Sequence, residues 1–495
     1  MKFKHFLILF IAVCFTTACD DEDIFQPDPD SIVIDNFFQT EEEFENAIRG
    51  VYSRMKTVGY YGGSGASGDL IIVGDLLADN LVSNASGRGS NRQSHSWLYN
   101  DNLTPTSIYT QAYIGIARAN LVLASINNLP EGATRDGIQA EALAARAMLH
   151  FDVARFYSQM PTQSSNALSS IGIVYNDTYD PLASPSRLST VQEVYDKINA
   201  DLNQALTLIG SYNSNSTTRI NVNVIRGLIS RVALAEGDYS RVIANAQPLV
   251  SSVSPAMASE LSNLWTSASN PGVLFELPFI LGDGLMDSNY SQGSGQSLIP
   301  EWSVDKDFYD LYNPATEPER ISAYFLTLTN NSLGETWNLV NKYINGALQQ
   351  GLNNGRYLRV EEVILNLAEA QYLSPSATDA QALATLDILR NARYSSFTGG
   401  ETGDNLFNAI MLERRKELAF ESSDRWFTLK RLQGVSGIPA IHTQGVQRNG
   451  NGHLSDGSGV VPPGQTLNAG DHRFQLPIQQ TDIIENPNIE QNPGY

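Results

Sequence analysis

Cysteine is almost missing from this chain. There are two in 495 residues, Cys14 and Cys19, so no disulfide framework can hold the fold and a hydrophobic core must do so. Histidine is also scarce, and His5, His95, His150, His442, His453 and His472 include no two at a metal-ligand spacing on one helix. No metal site is therefore expected. The sequence contains no H-E-x-x-H, no G-x-S-x-G and no P-loop, so neither a catalytic residue nor a cofactor is assigned. Gly63-Ser64-Gly65-Ala66-Ser67-Gly68 does fit G-x-G-x-x-G. That motif needs a strand before it and a helix after it, whereas here a helix precedes it. Bases are outnumbered, with 32 Lys and Arg against 53 Asp and Glu and a net charge of −21. Such a surface repels phosphate backbones, which excludes nucleic acid as a partner. No apolar run reaches the roughly 20 residues that a membrane-spanning helix needs.

What is present begins with an address. Met1 to Lys4 is a short basic start, Phe6 to Phe15 is apolar, and Thr16-Thr17-Ala18 places small residues before Cys19. These are the parts of an export signal. A signal ending on cysteine resembles a bacterial lipoprotein box, with Thr16 standing where a larger aliphatic is usual. Residues 1–18 then form the signal peptide, and Cys19 is the lipid attachment site. Each acyl chain contributes about 0.8 kcal/mol per buried CH2, so a multiply acylated cysteine holds its protein on the membrane. Residues 19–39 read as an acidic tether. Its start, Asp20-Asp21-Glu22-Asp23, resembles the tag that sends Bacteroidetes lipoproteins to the outer face of the outer membrane.

From residue 40 the period is helical. Thr40 and Glu43 make a capping box before Phe44, Ile48, Val51 and Tyr52, which predicts a helix near 40–58. Tyr109 to Leu129, Ile138 to Tyr157, Val191 to Leu208, Val224 to Ala235 and Tyr239 to Val250 follow. Gly237-Asp238-Tyr239 between the last two resembles the turn of a tetratricopeptide repeat. A second helix pair spans Val360 to Leu367 and Leu383 to Leu389 across residues 374–377. In 413–431 acids and bases alternate at helical spacing, which predicts a helix whose charged face pairs across the fold, with Leu412, Leu418 and Phe420 packing inward. Val273 to Pro278 reads as a strand. The expected fold is mainly α: a tetratricopeptide-like helical-repeat scaffold with long loop-rich insertions and a few short strands, forming one domain over 40–495. Scaffold occupies about 40–58, 104–160, 190–253 and 357–433. Loops occupy about 59–103, 254–356 and 434–475, and loops of that length carry function or are disordered.

Four patches in order resemble the RagB/SusD family. They are Thr40 to Met55; Gln139 to Pro161 with Glu141-Ala142, Arg146-Ala147 and Phe156-Tyr157; residues 357–372 with Glu413 to Glu421, Arg425-Trp426 and Leu429 to Arg431; and Leu476 to Tyr495, which contains Asn486-Pro487 and Asn492-Pro493-Gly494-Tyr495. The resemblance implies a SusD-like binding lipoprotein, not an enzyme. It would sit on the outer membrane at the cell surface, capture oligosaccharides for nutrient uptake and polysaccharide utilization, and deliver them to a TonB-dependent SusC-like transporter. The same fold binding peptides, and a surface glycoside hydrolase, are the alternatives.

Members of that family stack sugar faces on loop aromatics and bond the hydroxyls with Asn, Asp and Arg. The aromatics in polar, Gly-rich segments here are Tyr60, Tyr61, Trp97, Tyr99, Tyr290 and Trp302, with Asn100 and Asn289 beside them. These eight are the candidate ligand-binding residues. One sugar face on one ring buries roughly 50 Å² of apolar surface, about 1 kcal/mol at 25 cal/mol/Å². Several stacks with hydrogen bonds would give millimolar to micromolar affinity. The structural alternative is that Trp97 and Trp302 plug the scaffold where loops dock. Trp265, Trp337 and Trp426 lie near regular structure and are expected to be structural.

Overall fold

The computed structural model describes residues 37–62 and 70–495. The export signal, Cys19, the tag after it and the Gly63 to Gly68 motif lie outside the described residues.

Helix α1 (Glu41–Met55) starts on the box read from sequence: Thr40 Oγ1 accepts from Glu43 N, and the Glu43 carboxylate accepts from Thr40 N at 2.8 Å. Phe44, Ile48, Val51, Tyr52 and Met55 form its buried face. Helices α2 (Ile108–Ser125), α3 (Ala133–Tyr157), α4 (Val191–Leu208), α5 (Val222–Glu236) and α6 (Tyr239–Ser252) follow. The alanines of α3 let α2 and α4 close on it from both sides, and the helix is buried almost throughout its last five turns. Helix α5 ends on Gly237 at φ +75°, a left-handed position that costs any residue with a Cβ, and Asp238 then accepts from Arg241 N at 3.0 Å to start α6. Helices α7 (Val360–Leu373), α8 (Asp379–Arg393), α9 (Gly403–Glu417) and α10 (Asp424–Arg431) complete the scaffold. Successive helices pack as neighbours from α1 to α8, with α6 against α7 joining the two halves. This is the stacked helix-pair logic of a repeat scaffold.

One expectation needs correcting. Residues 413–431 are not one helix, because the chain breaks after Glu417 and Phe420, Ser422 and Ser423 take φ of +65°, +47° and +60°. Side chains hold this turn: Phe420 N donates to Asp75, Tyr343 Oη donates to Phe420 O at 2.6 Å, and Lys342 Nζ donates to Glu417 O and Ala419 O. Leu418 and Phe420 pack inward as expected, but Leu412 is 43% exposed.

The turn serves a buried network of charge. Arg320 meets Glu317, Glu413 and Glu417 at 3.2, 2.7 and 2.9 Å. Arg359 meets Glu361, Glu417 and Glu421, and Arg393 meets Glu361 and Glu417. Lys342 pairs with Glu421 at 2.6 Å, and Lys416 with Glu317. All ten side chains are buried. A continuous helix could not bring both Glu417 and Glu421 to Arg359 while returning Asp424 to Arg414.

The strands are short and stitch loops to scaffold. Antiparallel pairs join β1 (Leu81–Ser83) to β3 (Trp302–Val304), β2 (Val273–Leu277) to β6 (Gly355–Arg359), β4 (Phe325–Asn330) to β5 (Glu335–Val340), and β7 (Gly445–Arg448) to β8 (Gln465–Asn468). Trp265, Trp337 and Trp426 are buried.

Candidate functional site

The structure turns the loop aromatics inward. Tyr60, Tyr61, Tyr290 and Trp302 are at most 1% exposed, and Trp97 and Tyr99 are 5% exposed. Tyr60 Oη donates to Asp152, and Tyr61 Oη shares a hydrogen bond with Ser422 Oγ at 2.7 Å. Tyr290 Oη donates to Ile71 O at 2.6 Å, Trp97 Nε1 donates to Leu77 O at 3.0 Å, and Tyr99 Oη donates to Arg473 O at 2.5 Å. Trp302 lies in β3 with its ring 4.9 Å from that of His95. Asn289 is buried as well. The expectation that these side chains present faces to a ligand is corrected on physical grounds: a phenol or indole that buries its ring and pairs its polar atom, as five of these six aromatics do, gains more by docking its loop than by standing in water, and Trp302 is held by the packing of its ring. Asn100 alone of the eight is exposed, and its Oδ1 accepts from Asn102 N at 2.9 Å.

Above Trp97 the three loop segments nonetheless converge. Trp97 takes φ +54°, a left-handed position that is an outlier for a bulky residue. It is fixed there by its Nε1 bond and by Arg448, whose guanidinium lies 4.1 Å from the ring centre. Arg448, at the end of β7, donates to Ala78 O, Leu76 O, His95 O and Gln465 Oε1 at 2.7, 2.8, 2.5 and 2.9 Å. A recess of about 70 Å³ opens over it. Asp79, Leu81 and Val82 from the first loop segment form one wall, Asp305 and Asp307 from the second another, and Asn449, Asn451 and the Pro462-Pro463 step from the third close it. The volume suits about two waters, so a larger ligand lies across the mouth with polar groups pointing in.

Electrostatics in the recess are balanced. Burial acts to raise the Asp79 carboxyl, but Arg415, Arg425 and Arg448 outweigh it and hold the acid well below the usual carboxylate range. Asp79 accepts both arms of Arg425 at 2.7 and 2.6 Å. Burial raises Asp305, which caps the one-turn helix Lys306–Tyr309 by accepting from Phe308 N and also accepts from Asn451 Nδ2. Asp307 is exposed and accepts from Asn449 Nδ2 at 2.6 Å. His95 is pushed well below its ordinary value by burial and by Arg448, so its ring stays neutral against Leu81 O. Beside the recess, loop 84–92 is moulded on buried Glu301, which accepts from Arg88 N, Arg88 Nε and Gly89 N. What results is a fixed array of amides, carboxylates and guanidinium hydrogens, suited to recognising hydroxyl groups. Among the described residues no cluster of three His, Cys, Asp or Glu side chains is placed to hold a metal ion.

Comparison with known proteins adds to this geometry. A family model described as starch-binding and associating with the outer membrane matches residues 39–234, and the SusD family model matches residues 327–495. The chain belongs to the SusD/RagB family. A SusD-like protein P2 of Formosa agariphila is 24% identical over 99% of this chain and 100% of its own length. A SusD superfamily protein of Bacteroides thetaiotaomicron superposes with a TM-score of 0.74 at 22% identity, covering 92% of this chain and all of that one. Surface glycan-binding protein A of Bacteroides uniformis superposes at 0.69 with 17% identity, covering 92% and 99%. The mainly α, tetratricopeptide-like architecture is that of the SusD superfamily.

The residues that meet in the recess come from segments expected to be loop-rich, but the sequence reading does not reach them individually. Asp79, Asp305, Asp307, Arg448, Asn449 and Asn451 were not singled out. The available signal was Asn449-Gly450-Asn451-Gly452 with Pro462-Pro463-Gly464, two turn-forming runs that present amides and a flat apolar edge.

Proposed function

We propose that this SusD/RagB protein is a cell-surface lipoprotein, anchored through Cys19, that binds oligosaccharide and delivers it to a TonB-dependent SusC-like transporter in the outer membrane. The observation that carries the binding reading is the convergence of three loop segments on one polar, charge-balanced recess. A neutral polyhydroxylated ligand fits such a surface, because its hydroxyls can both donate and accept without bringing charge. The flat Pro462-Pro463 step supplies apolar edge for a sugar face, and Asp307 and Asn449 supply exposed polar groups. Each recess carboxylate already has a cationic or amide partner, an arrangement for holding a ligand and not for moving protons.

Removing the exposed pair with Asp307→Ala/Asn449→Ala tests the site. Each lost hydrogen bond is worth about 0.5–1.5 kcal/mol, so affinity for the best glycan in a binding screen should fall about tenfold with the melting temperature unchanged. Unchanged affinity would move the site elsewhere. Prolonged incubation of the purified protein with that glycan should yield no cleavage product by mass spectrometry.

A further inference from the structure

On the other flank of α9 lies a second, much larger opening. Arg415 faces the recess just described, while Glu413, two residues and about 200° round the helix, faces a cleft of about 500 Å³ between α8, α9 and the turn at 311–317. That volume falls within the range of small-molecule sites, about 300–1,000 Å³. One wall is preformed, because Ser395 N donates to Thr316 O at 2.8 Å and so ties the chain after α8 to the opposite turn. Half-buried Phe397 and Tyr394 stand together in that wall with ring centres 6.1 Å apart, and Leu412 adds apolar surface from α9.

The charges decide what could enter. Arg390 lies 5.4 Å from the Phe397 ring centre and is already paired with Glu401 at 2.9 Å. Lys416 is paired with Glu317, and Glu413 with Arg320 at 2.7 Å. No charge in the wall is left to demand an ionic ligand. By contrast, the hydroxyls of Thr316, Ser396 and Thr398 make no hydrogen bond with any described residue. Half-buried aromatic surface, unpaired hydroxyls and internally neutralised charge together match a neutral pyranose, which has an apolar face and a hydroxylated edge.

We infer that the cleft between α8, α9 and the 311–317 turn is a second carbohydrate subsite, selective for neutral sugars over uronates. It rests on the glycan-binding reading above but is separate from the recess. Methyl-resolved NMR of the full chain distinguishes the two, since Leu412 reports the cleft and Leu81 and Val82 report the recess. The probes are cello-, malto-, xylo- and laminari-hexaose, with oligogalacturonate as the charged control. At least one neutral hexasaccharide should shift Leu412, and oligogalacturonate should not. Phe397→Ala should weaken the Leu412 response at least tenfold and leave Leu81 and Val82 unchanged. Should that variant misfold, Thr398→Trp, at an exposed position, should fill the cleft and abolish the Leu412 response. A hexasaccharide that moves Val82 while none moves Leu412 would overturn the second subsite alone. If neither methyl group responds to any sugar, the glycan-binding reading of the recess falls and the second subsite falls with it.

Discussion

Glu417 holds three guanidinium groups, those of Arg320, Arg359 and Arg393, inside the core. Burial acts to raise its carboxyl, but those three cations outweigh burial and keep it well below the ordinary carboxylate range. A folded-state pKa below the unfolded one means that the unfolded chain binds the proton more readily. The stabilisation is therefore complete above the unfolded value of about 4.3 and is lost as pH falls through the folded value. Urea midpoints should decline below about pH 5, and Glu417→Gln should show a lower midpoint at pH 7 with a flatter decline in acid. The loop tryptophans make a second residue-scale case. Trp302→Ala removes a fully buried ring and should destabilise the fold by about 3–5 kcal/mol. A scanning calorimetry trace that barely moved would return the residue to the surface. Composition marked Tyr60, Tyr61, Trp97, Tyr99, Tyr290 and Trp302 as unusual for their segments, and burial explains why: they anchor the loops that carry them. The direction in which a loop aromatic faces depends on the surface the loop docks against, and that surface comes from distant sequence. The recess was illegible for the same reason, since Asp79, Asp305 and Arg448 meet only after three separate segments fold.

Helices were far more readable, because their signals are local. Val191 to Leu208 is bounded in the structure as the spacing predicts, and the reason is a capping box: Glu193 N donates to Thr190 Oγ1 at 3.1 Å, and Thr190 N donates to Glu193 Oε2 at 3.0 Å. Losing such a cap costs about 1 kcal/mol. Thr190→Ala should accordingly speed hydrogen exchange in the first turn of α4 and leave α5 unaffected. The Gly237-Asp238 turn was equally legible, since a left-handed glycine and a capping aspartate are both sequence-local devices. The break after Glu417 was not. Nothing in Leu418 to Ser423 contains proline or glycine, and the turn exists because Asp75, Lys342 and Tyr343, far away in the chain, satisfy its backbone.

At the scale of the whole molecule, the helical scaffold and the loops differ in how they are held. No helix among the described residues is long and apolar enough to cross a membrane, and the proposed attachment runs through Cys19 alone. Cys19→Ala should leave the protein folded and move it from the membrane pellet to the soluble fraction. Retention in the pellet at high salt would refute the lipid anchor. The buried ion network reaches further than stability. Replacing any one of its ten members strands a charge in the core at a cost of about 3–5 kcal/mol, set against a total of about 5–15 kcal/mol. A lineage descending from this sequence can therefore alter the exposed residues of its loops one at a time, but it must change this patch in compensated pairs. Ancestry stays written where editing is hardest, while the exposed loop residues proposed to meet the glycan are free to be rewritten with each new diet.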